Sequence, residues 1–116
     1  MPLTECQSIQ GSGRDLRHPM HVTAYTLNEQ PTASGEWPRI GFAASNKLPL
    51  NTLVYVSIPE KSVGRLFIIK DRMNDNYDRY PDNRDGLDIW TDNPTWAKWF
   101  GRNRNIRVTI VRLGNG

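Results

Sequence analysis

The stretch TLVYVSIPEKSVGRLFIIKD, residues 52–71, contains the two clearest strand signals of the chain. Its two flanks, LVYVSI and GRLFIIK, are rich in β-branched and aromatic side chains, which favour extended backbone. The residues between them, PEKSV, have the length of a hairpin connection and begin with a turn-forming proline. The stretch therefore predicts an antiparallel hairpin whose second strand ends at Asp71.

Shorter strand-like segments lie on both sides of this hairpin. They are HVTAYTL at 21–27, GFAAS at 41–45, LDIW at 87–90 and NIRVTIVRL at 105–113, the last with Ile106, Val108 and Ile110 on one side. Residues 1–20 show no periodicity, which predicts an irregular N-terminal segment ahead of one domain at 21–116. Six short strands predict an all-β fold, and a closed six-stranded barrel is favoured over a sandwich because closure leaves fewer sheet edges to protect.

One helix is predicted, in the segment DNPTWAKWFG before the last strand. Asn93 or Asp92 can cap its N-terminus, Pro94 stands at a first-turn position, and Gly101 can end it. Its aromatic residues recur at i, i+3 and i+4, which predicts that they share one face.

The composition is that of a single soluble domain with a mild excess of positive charge. The chain has 116 residues, a formal net charge of +3 and one cysteine, Cys6, which excludes an internal disulfide. The cations are spread along the sequence, so we expect no nucleic-acid partner. No apolar segment is long enough to span a bilayer, and no leader peptide is visible. We expect a monomer.

No metal or cofactor is expected either. His18 and His21 are three residues apart, but the sequence has no cysteine pair or second histidine cluster to complete a set of zinc ligands. The aspartates of the loop after Asp71 do not follow the alternating calcium pattern, and arginines between them offer ion pairs instead; these residues are Asp75, Asp78, Asp82, Asp85, Arg72, Arg79 and Arg84.

Two other aspartates lie beside apolar residues. Asp71 ends one predicted strand and Asp88 lies within the next. A carboxyl among apolar neighbours loses solvation, which raises its pKa and lets it act as a general acid on a glycosidic oxygen. The alternative is that both aspartates cap strand ends or pair with Arg72 and Arg65.

Seven short motifs occur in an order that resembles one family. They are VTAY, PTASGE, AASNKLPLNTLVYV, FIIKDRMN, GLDIW, AKWFGR and IRVTIV, and they span 21–113. The sequence resembles the 3D (Asp-Asp-Asp) domain of MltA-type lytic transglycosylases and, more distantly, rare lipoprotein A and expansins. This resemblance implies a double-psi β-barrel with a polysaccharide groove, acting in the cell envelope.

The resemblance also assigns roles to residues. Asp88 in GLDIW matches the family's acid/base aspartate, and Asp71 in KDRMN matches the aspartate that opens the family's glycine-rich loop. On this resemblance Asp71 either tunes the pKa of Asp88 or hydrogen-bonds a sugar hydroxyl. The family's Gly-Gly pair after that aspartate is replaced by RMN, and Ser45 and Asn46 stand where the third aspartate is expected. Further substrate-binding candidates are Tyr25, Thr32, Ser34, Glu36, Asn74 and Trp90, with Tyr25 and Trp90 as surfaces on which sugar rings stack.

The activity implied by this resemblance is non-hydrolytic cleavage of peptidoglycan. A lytic transglycosylase breaks the β-1,4 bond between MurNAc and GlcNAc and leaves a 1,6-anhydro-MurNAc end. Because the C6 hydroxyl of the MurNAc itself is the nucleophile, one carboxyl suffices as acid and then base. The loop between Asp71 and Asp88 is interpreted as a polar lid over the groove. Two alternatives stay open: a module that binds glycan without cutting it, and a phage or secretion component that loosens the wall.

Overall fold

The computed structural model describes residues 17–73 and 85–115. Within them the strands are β1 (Arg17–Tyr25), β2 (Phe42–Ala44), β3 (Leu53–Ile58), β4 (Val63–Asp71), β5 (Asp85–Trp90) and β6 (Asn103–Arg112), with a helix α1 (Pro94–Phe100) before β6. The predicted hairpin is confirmed as β3 and β4, joined by a short 3-10 turn at Pro59–Lys61. β1 begins at Arg17, so its first four residues fall in the segment that was predicted to be irregular.

The six strands close into a barrel in the order β1, β5, β2, β4, β3, β6. Two neighbouring pairs, β1 with β5 and β2 with β4, run parallel, and the other four pairs run antiparallel. The predicted closed all-β barrel with one short helix before the last strand is therefore confirmed. This mixture of parallel and antiparallel neighbours is consistent with the double-psi arrangement.

The barrel interior is filled by the apolar side of every strand. Alternation along the strands places one set of side chains inside, and these include Val22, Ala43, Val54, Val56, Ile69, Leu87, Ile89 and Val108. No helix among the described residues is long and apolar enough to cross a membrane.

The helix α1 forms as its sequence predicts. The Asn93 side chain accepts a hydrogen bond from the backbone N–H of Trp96 at 3.0 Å, and Gly101 ends the helix with φ 63°. Phe100 is fully buried and its ring stacks on Trp96 at 4.7 Å between centroids, whereas Trp99 is 56% exposed. The helix thus covers the barrel with Phe100 as its anchor.

We expect Phe100→Ala to lower the free energy of unfolding by about 3–5 kcal/mol, because it leaves a cavity in a packed interior. Trp99→Ala, one position earlier, is the matched control and should cost less than about 1 kcal/mol. Urea unfolding of both variants measures the difference. Equal losses for the two variants would show that α1 is not anchored by Phe100.

Candidate active site

Strand register places Asp88 and Asp71 on either side of one alanine. Ala44 of β2 is the Cα partner of Asp88 on β5 and of Asp71 on β4, and Asp88 in turn is the partner of Thr23 on β1. Side chains in register on neighbouring strands point to the same face of a sheet. The two carboxyl groups therefore lie on one face, two strand spacings apart, or roughly 10 Å between Cα atoms.

A register shift on β4 brings Asp71 to this row. Ala43 pairs with Ile69, but Ala44 pairs with Asp71, so one extra residue of β4 is accommodated between them. Without this β-bulge, Lys70 would stand opposite Ala44. Bulges of this kind re-aim a side chain next to functional sites.

The shared face lines a cleft of about 860 Å³. Leu87 and Ile89, the neighbours of Asp88 along β5, point into the core, so Asp88 itself points outward into the cleft. The cleft walls come from the end of β1 and the loop that follows it, the ends of β2 and β4, β5, and the residue before β6. They include Thr23, Tyr25, Leu27, Glu29, Gln30, Ala44, Asp71, Arg72, Met73, Asp88 and Arg102.

Asp88 has the properties of a general acid. Burial raises its pKa to about 6, a hydrogen bond from Thr23 opposes this rise, and the nearby charge of Asp71 adds to it. The Thr23 hydroxyl donates to Asp88 Oδ1 at 2.8 Å. A carboxyl with a pKa near 6 is partly protonated close to neutral pH, which is what proton transfer to a leaving oxygen needs.

Asp71 is engaged by protein donors at both oxygens. Its Oδ1 accepts the backbone N–H of Ala33 at 2.9 Å and that of Arg72 at 2.8 Å. Its Oδ2 accepts the Tyr25 hydroxyl at 3.3 Å. Three of the roughly four acceptor positions of a carboxylate are thereby occupied. Asp71 is thus held as an acceptor that fixes the cleft wall and places a negative charge near Asp88.

Tyr25 lines the cleft next to both carboxyl groups. Burial raises the pKa of Tyr25 above its usual value, and the charges of Asp71 and Asp88 raise it further. The phenol therefore stays protonated and donates its hydrogen bond to Asp71. Its place in the cleft wall is compatible with contact to a sugar ring.

Among the described residues, neither aspartate forms an ion pair with the arginines that the alternative interpretation named, although Asp71 does cap the end of its strand by accepting the backbone N–H groups of Ala33 and Arg72. The Arg72 guanidinium donates to the backbone carbonyls of Ser45 at 2.6 Å and Leu48 at 2.8 Å. The Arg65 guanidinium lies over the Phe67 ring at 5.3 Å. Asp88 is consequently left with the Thr23 hydroxyl as its partner, within the described part of the chain.

Thr32, Ser34 and Glu36 form a turn behind Asp71 rather than lining the cleft. The Thr32 and Ser34 hydroxyls bond to each other at 2.8 Å, and Thr32 Oγ1 also donates to the backbone carbonyl of Glu36 at 2.8 Å. This turn presents the Ala33 N–H to Asp71. Lys70 Nζ donates to Glu36 Oε2 at 2.6 Å, and this contact lowers the pKa of Glu36.

Trp90 is placed apart from the two aspartates. Its side chain is 8% exposed, and its indole N–H donates to the carbonyl of Leu27 at 2.9 Å. It borders a second cavity of about 420 Å³, together with Trp96 and Phe67. The structure therefore does not bring Trp90 into the cleft beside Asp88.

Asn74 and the predicted lid lie outside the described residues, as do the loop aspartates from Asp75 to Asp82. Where the third family aspartate is expected, Ser45 Oγ accepts the backbone N–H of Leu48 at 3.1 Å. Asn46 exchanges two hydrogen bonds with the backbone of Met73, at 2.9 and 3.0 Å. The Asn46 side chain thus ties the segment after β2 to the segment after Asp71. Among the described residues, no cluster of three metal-ligating side chains occurs.

Comparisons of this chain with protein-family models, curated proteins and solved structures gave no match. The resemblance to the 3D domain therefore stays a prediction.

Sequence patterns missed Thr23 and Arg102 as cleft residues. Thr23 shares its side of β1 with Tyr25 through simple alternation, which is a signal that the sequence contains. Its contact with Asp88 depends on the parallel pairing of β1 with β5, 65 positions away, and no local pattern reveals that pairing. Arg102 also lines the cleft, from its place between Gly101, which ends α1, and the first residue of β6.

Proposed function

We propose that this protein is a lytic transglycosylase that cleaves the glycan strands of peptidoglycan without water. The observation that supports this proposal best is Asp88, a carboxyl whose pKa is raised to about 6 and which opens into a cleft of about 860 Å³. A protein with this function acts in the cell envelope, with peptidoglycan as its partner.

The second carboxyl favours non-hydrolytic over hydrolytic chemistry. A hydrolase needs a second carboxylate that activates water or bonds to the sugar. Asp71 is poorly suited to either role, because its Oδ1 accepts two backbone N–H groups and its Oδ2 accepts the Tyr25 hydroxyl. When the substrate itself supplies the nucleophile, one carboxyl is enough.

In the proposed reaction, Asp88 gives up one proton and later takes one back. The protonated carboxyl gives its proton to the glycosidic oxygen while the bond from that oxygen to C1 of MurNAc breaks. The resulting carboxylate then takes the proton of the C6 hydroxyl of the same MurNAc as that oxygen bonds to C1. The products are a free hydroxyl on the released GlcNAc and a 1,6-anhydro-MurNAc end, and Asp88 regains its starting state.

Purified sacculi provide the test. We expect incubation with the protein to release soluble fragments that end in 1,6-anhydro-MurNAc, identified by mass spectrometry. Fragments with reducing ends would instead identify a hydrolase. Retention of the protein on sacculi with no fragment released would identify a glycan-binding module.

Asp71→Asn should lower the rate of fragment release by about tenfold, less than removal of the acid itself, because the amide keeps one acceptor oxygen for the backbone donors. It should also shift the pH profile. The charge of Asp71 helps to raise the pKa of Asp88, so its loss lowers that pKa and moves the alkaline fall in activity to lower pH. Initial rates across the acid-to-neutral range measure both effects. An unchanged profile would remove Asp71 from the site.

A further inference from the structure

The C-terminal end of the chain carries positive charge that no neighbouring acidic residue balances. Residues 93–116 contain five of the 15 cationic residues and none of the 12 acidic ones; the five are Lys98, Arg102, Arg104, Arg107 and Arg112. Three of these arginines lie on β6, and all three are exposed.

Two register shifts keep these three arginines on the outer side of β6. Pairing with β1 shifts between Ile106 and Asn103, with Asn105 at a left-handed φ of 58°. Pairing with β3 shifts between Ile110 and Arg112. Each shift inserts one extra residue into β6. Even-numbered residues therefore face the core in the middle of the strand but face outward beyond each shift. Ile106, Val108 and Ile110 therefore point inward while Arg104, Arg107 and Arg112 point outward.

None of the three arginines forms an ion pair with another described residue; the ion pairs there join Glu36 to Arg39 and to Lys70. Exposed guanidinium groups without an internal partner are available to an external anion. From Arg104 to Arg112 the strand extends over roughly 25 Å, which makes an elongated basic surface rather than a single point.

This surface, defined as the outer side of β6 with Arg104, Arg107 and Arg112, starts at the wall of the cleft. Arg102, which directly precedes β6, lines the cleft that holds Asp88. Asn103 pairs with Val22, the residue before Thr23. The wall of the cleft thus reaches the residue that precedes β6.

We propose that the basic surface of β6 binds the carboxylates of the peptide stems carried by the glycan strand in the cleft. This inference rests on the proposed function and adds a preference within it: strands that bear stems over strands stripped of them. Charge complementarity favours a polyanion, and continuity with the cleft favours one that is covalently joined to the substrate.

The test compares Arg104→Gln/Arg107→Gln/Arg112→Gln with a control of equal charge change, Arg39→Gln/Lys47→Gln/Arg65→Gln. All six side chains are exposed, and the control residues lie off β6. Co-sedimentation is measured with intact sacculi and with sacculi from which an amidase has removed the stems, at low and high salt. Thermal unfolding of each variant verifies that the barrel is retained.

We expect the β6 variant to bind intact sacculi about tenfold more weakly than the unmodified protein, as the combined loss of three exposed ion pairs predicts. The control variant should bind as the unmodified protein does. Stripped sacculi should bind both variants and the unmodified protein equally, and high salt should remove the preference for intact sacculi. Equal binding of stripped and intact sacculi by the unmodified protein, or tighter binding to an oligonucleotide at the same salt, would overturn the inference.

Fragment release in the same samples separates this inference from the proposed function. Release of anhydro fragments with equal binding to intact and stripped sacculi would support the transglycosylase and contradict the role of the β6 surface. Tighter binding to intact than to stripped sacculi, with no fragments released, would support the role of the β6 surface and contradict the transglycosylase.

Discussion

Replacing Asp88 with asparagine is expected to reduce fragment release from sacculi by at least about 100-fold, the usual scale for loss of a general acid. The amide has nearly the shape of the carboxyl, and its oxygen can still accept the Thr23 hydroxyl that lies 2.8 Å from Asp88 Oδ1. It cannot give a proton to a glycosidic oxygen. Cleavage should therefore be lost while the fold and the binding of sacculi are kept.

Asp92→Asn is the matched control. Asp92 lies four residues further along, just beyond β5, and its side chain is exposed. Mass spectrometry of the soluble fraction should show parental activity for this variant and background release for Asp88→Asn, with superimposable circular dichroism spectra. If Asp88→Asn released fragments at the parental rate, the assignment of the acid would be wrong.

The same substitution is expected to stabilise the protein at neutral pH. The pKa of Asp88 is about 6 in the folded chain against an ordinary 3.8, so folding takes up a proton between these values. The stability that this carboxyl contributes is complete below about pH 4 and is lost as the pH rises through 6. The interval corresponds to about 3 kcal/mol, an upper value because the side chain is partly exposed in the cleft.

Urea unfolding across this pH range measures the effect. The free energy of unfolding of Asp88→Asn minus that of the unmodified protein should grow by up to about 3 kcal/mol from below pH 4 to about pH 7. Taking the difference removes the contribution of every group that titrates alike in both proteins. A difference that stays flat over this range would show that Asp88 titrates normally in the folded state.

The strands and the helix follow closely from local sequence. The hairpin of β3 and β4 is specified by alternating β-branched residues and a short turn with Pro59. The helix is specified by Asn93, Pro94 and Gly101, which act as predicted. β1 was predicted too short because Pro19 and the two histidines near it carry no apolar alternation, yet the pairing of β1 with β6 extends the strand back to Arg17.

The arrangement of the site follows less directly. Alternation predicts that Asp88 points away from the core, since its neighbours Leu87 and Ile89 are apolar. It does not predict that β2 lies between β4 and β5, which is a property of the closed barrel. Nor does it predict the bulge on β4 that turns Asp71 rather than Lys70 toward the cleft.

The aromatic candidates separate for a similar reason. Tyr25 and Trp90 are Cα partners on β1 and β5, and each ends its strand. Tyr25 reaches Asp71 with its hydroxyl, whereas the Trp90 ring packs at 8% exposure toward the second cavity. Both are aromatic and were therefore equal candidates for stacking on sugar rings, but only the side-chain direction in the folded barrel distinguishes them.

The most direct test of the central claim is a pH titration of the Asp88 carboxyl in the folded protein, monitored by carbon NMR. The spectrum of Asp88→Asn identifies which carboxyl signal belongs to Asp88. A midpoint near pH 6 is the expected result, because the cleft wall removes water from this carboxyl. A midpoint near the ordinary value of 3.8 would contradict the account, since Asp88 would then hold no proton to give near neutral pH.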